Sequence, residues 1–322
     1  MRVGLIGVGH WHAHMHAEAV LSAGAKLECV WDPDRQVAEK FAARYQVAVS
    51  DNPQILIERS SFVVVMGRPD QVPPLAEAAI SAGVPLVLEK PAAPTSAALA
   101  AIARKVAAAG IFAAVPLPNR LGPAVQEYYR LAAENRSGSL AHAHFRIVNG
   151  PPQRYRDDGV PWMLDPALSG GGALRNLGIH GIDCALSLAK GSLRIVSAQV
   201  SKRIHREDVE DYALIVLEDD AGALFTIEAG YTYASMLAGG DFEWRIATEN
   251  AYLIDSGDSA VAATLDDGVR ARLSPLPPSE RYSAFMRDSI SRLAAGAPPL
   301  VSVSDYARAM QVIDGAYEKA RS

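Results

Sequence analysis

Met1-Arg2-Val3-Gly4-Leu5-Ile6-Gly7-Val8-Gly9-His10-Trp11-His12 begins with an apolar run of strand length. A turn with two glycines follows, and then a stretch of good helix formers from Ala13 to Ala23. A strand that feeds a glycine turn and opens a helix leaves backbone N–H groups free to receive an anion, here the pyrophosphate of a dinucleotide. Gly7 permits the tight turn and Gly9 the close approach of the backbone. His12 stands where a third glycine would complete the pattern, which is expected to loosen the packing of helix on strand.

Working outward, Leu27 to Trp31, Phe62 to Val65, Pro85 to Leu88 and Ile111 to Val115 are further continuous apolar runs, as parallel strands buried on both faces require. Helical stretches alternate with them: Asp34 to Tyr45, Val72 to Ala82 and Ser96 to Ala109, with Gly24, Gly83 and Gly110 where helices would stop. This rhythm predicts an α/β fold with a doubly wound parallel sheet of Rossmann type over residues 1–120. Beyond it the texture changes. One helix, Pro123 to Ala133, precedes longer alternating strands at Ala141 to Val148, Ile195 to Lys202, Asp211 to Leu217, Ala223 to Tyr231 and Phe242 to Ala247. Residues 121–322 are therefore expected to form an α+β domain with a large, open, mainly antiparallel sheet. Ser274 to Pro278 and Gly296 to Pro299 read as surface connections. A closing helix, Ser304 to Lys319, can pack on either domain.

With 49% apolar and 21% charged residues and a net charge of −5, the 322-residue chain has no global attraction for nucleic acid or anionic lipid. No apolar run is long enough to span a bilayer, and the opening residues lack the ordered regions of a secretory leader, so a cytoplasmic protein is expected. Cys29 and Cys184 are too few for a disulfide framework or a thiolate metal site.

Asp32, at the end of the second strand, is spaced to accept hydrogen bonds from the adenosine ribose hydroxyls, which favours NAD. Arg35 keeps NADP possible, and a purely structural role for Asp32 is to cap the next helix.

Two later stretches add to the turn: Leu88-Glu89-Lys90-Pro91, and Gly170-Gly171-Gly172-Ala173-Leu174-Arg175-Asn176-Leu177-Gly178-Ile179-His180-Gly181-Ile182-Asp183. In this order, with Asn119-Arg120, Asp165-Pro166 and the closing Val301 to Tyr306, the sequence resembles the glucose-fructose oxidoreductase and inositol dehydrogenase family, Gfo/Idh/MocA, over nearly its whole length. The resemblance implies hydride transfer on sugars, cyclitols or related alcohols, and homodimers or homotetramers built through the open sheet. It matches Lys90 to an active-site lysine and His180 to an acid-base histidine. Asn176 occupies a position where many members carry a catalytic aspartate.

Oxidising an alcohol needs a base for the hydroxyl proton while hydride leaves the same carbon. His180 can accept that proton, and an ammonium at Lys90 can stabilise the developing alkoxide. Asn176 can orient His180 but supplies no charge. Asp183, three residues after His180 and on the same face of a helix, could supply it. Taken singly, Lys90 reads as a solvated strand-end lysine, His180 as a helix cap and Asp183 as a surface charge. Gly7, Gly9, His10, Trp11, His12, Asp32, Arg35, Gly67, Glu89 and Lys90 form the expected cofactor set. Asn119, Arg120, Arg154, Tyr155 and Trp162 are candidates for the sugar-like substrate, while Trp162 packing a loop and arginines paired with Asp157 and Asp158 is the structural alternative.

His10, His12, His14 and His16 alternate, and an H-x-H after a first strand also suits a metal-dependent hydrolase. On a helix, however, they form two separate i, i+4 pairs, and no eightfold βα pattern follows, so no metal is expected. A non-catalytic sensor of dinucleotide or sugar is the other reading, and turnover would distinguish it from an enzyme.

Overall fold

The computed structural model of the protein describes residues 1–236, 240–266 and 270–321. The chain begins β1 (Arg2–Ile6), α1 (Ala13–Ser22), β2 (Lys26–Trp31), α2 (Arg35–Tyr45), β3 (Ala48–Val49), α3 (Pro53–Arg59), β4 (Phe62–Val65), α4 (Val72–Ser81), β5 (Leu86–Leu88), α5 (Ser96–Ala109) and β6 (Ala113–Ala114). The strands form one six-stranded sheet in the order β3-β2-β1-β4-β5-β6, every pair parallel. The order turns back at β1, where β2 pairs on one side and β4 on the other. The crevice at the carboxyl ends of β1 and β4 is where such a sheet binds ligands. Val3, Leu5, Ile6 and all of Phe62–Val65 are wholly buried, because helices cover both faces.

Local chemistry sets the helix ends. Thr95 caps α5 through the Ala98 N–H, and Gly110 ends it with φ of +62°. The sequence reading missed β3, a two-residue strand, and α3, although Asn52 accepting from the Ile55 N–H with Pro53 at the first helical position is a legible start signal.

The second part contains α6 (Pro123–Ala133), β7 (Leu140–Asn149), α7 (Gln153–Asp157), α8 (Pro166–Ser169), α9 (Ile179–Leu188), β8 (Leu193–Ser201), β9 (Tyr212–Asp219), β10 (Leu224–Gly230), β11 (Gly240–Thr248), β12 (Ala251–Asp255), β13 (Ala260–Thr264), β14 (Arg270–Leu273), α10 (Pro278–Ala294) and α11 (Val303–Lys319). Its eight strands order as β14-β13-β12-β11-β7-β10-β9-β8 and pair antiparallel except β7 with β10, which run parallel from His142↔Leu224 to Val148↔Gly230. In β9, Ala213, Ile215 and Leu217 point inward while Leu214 and Val216 are half-buried on the other face, the alternation of a sheet covered on one side. The helix α9 lies close on the inner face: a Cβ on Gly181 would meet Phe145 Cβ at 2.8 Å. The strands β12, β13 and β14 and the helix α10 were not read from the sequence. Pro278, taken as the end of a connection, is instead the first residue of α10, where proline loses no hydrogen bond.

The chain folds as two compact units, Met1–Pro116 with Tyr155–Gly170 and Tyr282–Arg308, and Leu117–Arg154 with Gly171–Arg281 and Ala309–Ser322. Compared with the single division expected at residue 120, the segment carrying Trp162 and most of α10 belong with the first unit. Residues 303–308 of α11 belong to the first unit and the remainder to the second. No described helix is long and apolar enough to cross a membrane.

Candidate cofactor and catalytic residues

In the first unit the glycine turn joins β1 to α1. Gly7 has φ of +82°, and a Cβ there would lie 2.1 Å from the Met66 carbonyl oxygen; a Cβ on Gly9 would come within 3.1 Å of Asp32 Oδ2. Gly7 therefore has no room for a side chain, while one at Gly9 would press on the Asp32 carboxylate. The Gly9 N–H donates to Asp32 Oδ2 at 2.7 Å and the Asp34 N–H to Oδ1 at 3.0 Å. Asp34, not Asp32, caps α2, accepting from the Gln36 and Val37 N–H groups. Burial pushes the Asp32 carboxyl above its ordinary value, against those two N–H groups. A cavity of about 470 Å³ opens beside the turn, walled in part by Gly7, Gly9, His10, Asp32, Gly67 and Trp162. A turn position that admits only glycine, an acceptor at the end of β2 and a cleft of ligand size suit an adenine dinucleotide. The exposed guanidinium of Arg35 lies 2.8 Å from Glu39 and 3.2 Å from Asp51, and Arg35 is not among the residues that wall the cavity.

The four alternating histidines go to different partners. His10 is buried, stacks on Trp11 with centroids 3.8 Å apart, and accepts the His12 N–H on Nδ1. Burial holds its pKa well below 6.5. His14 bonds Tyr45 Oη at 2.9 Å and stacks on Phe41. His12 and His16, one turn apart as the spacing predicts, both reach Glu89. Among the described residues no group of three or more His, Cys, Asp or Glu side chains is arranged to hold a metal ion.

Glu89 follows β5 and is buried. Its Oε1 accepts the Lys90 backbone N–H at 2.9 Å and lies 3.3 Å from His12 Nδ1; its Oε2 is 2.6 Å from His16 Nε2 and 3.3 Å from Tyr282 Oη. Tyr282 Oη is also 2.8 Å from His12 Nδ1. Burial raises the Glu89 carboxyl, but the two histidines outweigh it and hold it well below 4.5. His12 is lowered by burial to about 4, Glu89 opposing, so its ring is neutral at pH 7 and its approach to Glu89 is a hydrogen-bond-range contact rather than an ion pair. Lys90, 2% exposed, is lowered by burial to about 8, with Glu89 again opposing, and its Nζ lies 5.6 Å from the Trp11 ring centroid. Lys90 is thus not the solvated lysine that its position after a strand would suggest. Trp162, half-buried, and Tyr155, buried, complete an aromatic cluster with Trp11 at centroid distances of 5.7 and 6.1 Å.

In the second unit, Leu174–Gly178 is wound as a π-helix that runs directly into α9. Such an insertion re-aims neighbouring side chains and recurs at functional sites. It carries Asn176, whose Nδ2 donates to Tyr231 Oη at 3.1 Å, and places His180 in the first turn of α9. Glu210 fixes the stretch before it, accepting the Gly172 and Leu174 N–H groups at 2.9 Å each and Tyr317 Oη–H at 2.7 Å. Asp183 shares a helical face with His180 as expected, but its carboxylate is committed to Arg120, which donates from Nε at 2.8 Å and Nη2 at 2.5 Å. Asp183 is therefore not a surface charge but the buried partner of Arg120. Asn119 is likewise tied: its Oδ1 accepts from Arg281 Nη1 at 2.8 Å, and Arg281 Nη2 donates to buried Asp255 at 2.6 Å. Arg154 is half-buried in α7. Sequence reasoning missed Tyr282, Glu210 and Arg281; each gains its role from a contact more than 25 residues away, which no local pattern encodes.

A profile described as an oxidoreductase family with NAD-binding Rossmann fold matches residues 1–115, and a GFO/IDH/MocA C-terminal domain profile matches residues 125–254. Inositol 2-dehydrogenase 2 of Saccharopolyspora erythraea is 29% identical over 244 residues, 72% of this chain and 68% of that protein. Inositol 2-dehydrogenase 4 of the same organism is 34% identical over 163 residues, about half of each chain at 47%. Among solved structures, a levoglucosan dehydrogenase in complex with NADH and levoglucosan superposes with a TM-score of 0.86 at 20% identity, covering 100% of this chain and 97% of the other. An Agrobacterium radiobacter oxidoreductase in complex with NAD+, L-tartaric acid and magnesium gives 0.85 at 18% identity, covering 100% and 96%. The chain belongs to the GFO/IDH/MocA family and is an NAD-dependent dehydrogenase.

Proposed function

We propose that the protein oxidises a secondary alcohol of a cyclitol, sugar or related polyol to the ketone, releasing the hydroxyl proton and reducing one NAD. The observation that carries this reading is Lys90: a buried amine with its pKa lowered to about 8, in the unit that holds the glycine turn and Asp32. The two inositol dehydrogenase relatives support the substrate class.

When bound, NAD accepts hydride from the carbinol carbon. The chain's own contributions are assigned as follows. Gly7, Gly9, Gly67 and Asp32 bind the dinucleotide, and His10 and Trp11 flank it. Lys90 stabilises the developing alkoxide, and His180 takes the hydroxyl proton. Asn176 holds its stretch through Tyr231. Trp162 and Tyr155 offer aromatic faces to the apolar side of a ring substrate, with Arg154 a candidate donor to its hydroxyls. We further propose that the open face of the eight-stranded sheet pairs copies into a homodimer or homotetramer. The two buried free thiols, Cys29 and Cys184, suit the cytoplasm.

The test follows nicotinamide absorbance with NAD across cyclitols, sugars and sugar acids. Turnover that falls about 10²- to 10⁴-fold in Lys90→Ala, with NAD affinity retained, is the expected result. NAD binding without turnover on any of these alcohols would favour a sensor.

A further inference from the structure

His12 fills the position that the dinucleotide pattern reserves for glycine, and its half-buried ring turns toward Glu89 and Tyr282. It lies between Tyr282 Oη at 2.8 Å and Glu89 Oε1 at 3.3 Å. The Tyr282 ring meets His12 and His16 edge-on, at centroid distances of 5.2 and 5.1 Å. Four polar groups thus surround one buried carboxylate, and one of them is the backbone N–H of Lys90. His12 and His16, at the start of α1, and the backbone of Lys90, the residue whose amine is assigned to the reacting carbon, are thus fastened to the same carboxylate.

We propose that His12 and Tyr282 are positioning residues for the Lys90 amine, acting through Glu89. This rests on the role given to Lys90 above. A buried carboxylate with too few donors turns toward whichever donor remains, and Oε1 is shared between His12 and Lys90. The Tyr282 hydroxyl engages both His12 Nδ1 and Oε2, so it holds the ring and the far oxygen together and leaves Oε1 on the Lys90 N–H. Removing only that hydroxyl preserves the ring packing and loosens the carboxylate.

The two effects on Lys90 have opposite signs. Glu89→Gln removes an anion and makes the ammonium easier to deprotonate. Tyr282→Phe removes a donor dipole whose positive end faces the carboxylate, leaving its charge less compensated and the ammonium harder to deprotonate. The sequence has seven lysines, so the ε-carbon signals of ¹³C-lysine-labelled protein are few, and the Lys90 signal is the one absent from Lys90→Arg. We expect its titration midpoint to fall in Glu89→Gln and to rise by about half a unit in Tyr282→Phe. In turnover, Tyr282→Phe should lower kcat about tenfold with KM and NAD affinity within about twofold, and His12→Gly should do the same. A Lys90 midpoint in Tyr282→Phe equal to the wild-type value, with an unchanged melting temperature, overturns the proposal, whatever the activity. A shifted midpoint together with full turnover in Lys90→Ala would instead refute the role assigned to Lys90.

Discussion

The Gly9 N–H donates to Asp32 Oδ2 over 2.7 Å, so the glycine that admits the dinucleotide is held by the residue proposed to receive its ribose. Losing the carboxylate should therefore have two effects, the loss of an acceptor for the ribose hydroxyls and the release of the turn. Asp32→Ala is expected to weaken NAD binding at least tenfold, about 1.4 kcal/mol or more, by calorimetric titration. Because Arg35 is occupied by Glu39 and Asp51, Arg35→Ala should change the Kd of NAD and NADP by less than about twofold.

Lys90 sets function against stability. Its pKa is near 8 in the folded chain against an ordinary value of 10.5, so between these limits the unfolded chain binds more protons and stability rises with pH. Below pH 8 the full cost of burying the ammonium applies, on the order of a few kcal/mol. Lys90→Met should melt higher than wild type at pH 7, with the gain fading toward pH 10.5 as thermal scans at the two values compare, and it should have lost turnover. Where Lys90 must be an ammonium to stabilise the alkoxide, its contribution to wild-type activity declines as the pH passes 8.

The Arg120–Asp183 pair is buried and bidentate. Arg120→Ala leaves the Asp183 carboxylate, which is fully buried, without its guanidinium and should cost about 3–5 kcal/mol in chemical denaturation. Replacing both, as Arg120→Met with Asp183→Leu, should recover most of that loss, because two well-packed apolar groups need no mutual charge.

Glu210 holds the glycine stretch before the π-helix from three donors. Tyr317→Phe removes one of them and is expected to lower stability by about 1 kcal/mol while leaving the Gly172 and Leu174 contacts. Glu210→Ala frees both backbone N–H groups and should reduce kcat well beyond its effect on NAD affinity, a split seen by comparing steady-state turnover with equilibrium titration.

Much of the fold could be read from short-range pattern. The apolar runs at Val3–Ile6 and Phe62–Val65, and the helix from Pro123 to Ala133, fall almost residue for residue on β1, β4 and α6, because burial on both faces or a stop signal at each end leaves one reading. The short β3 offers two residues and no periodicity. At the site, the glycine turn, Asp32, Glu89 and Lys90 were legible as residues, but the environment of each was not. That Asp183 would be taken by Arg120, or that Tyr282 would meet His12 from 270 positions away, depends on tertiary contacts with no trace in local spacing.

The parallel register of β7 against β10 also fixes an order of assembly. The strands flanking β7 in the eight-stranded sheet are contributed by residues 224–230 and 240–248, so the middle of that sheet waits for chain some 80 to 100 positions further on. The six-stranded sheet has its last strand by residue 114, and its most distant pairing, β1 with β4, joins Val3 to Phe62. On a ribosome delivering the chain from its amino end, β1 to β6 can collapse while β7 is still an unpaired edge, exposed to pairing with other chains until β10 emerges.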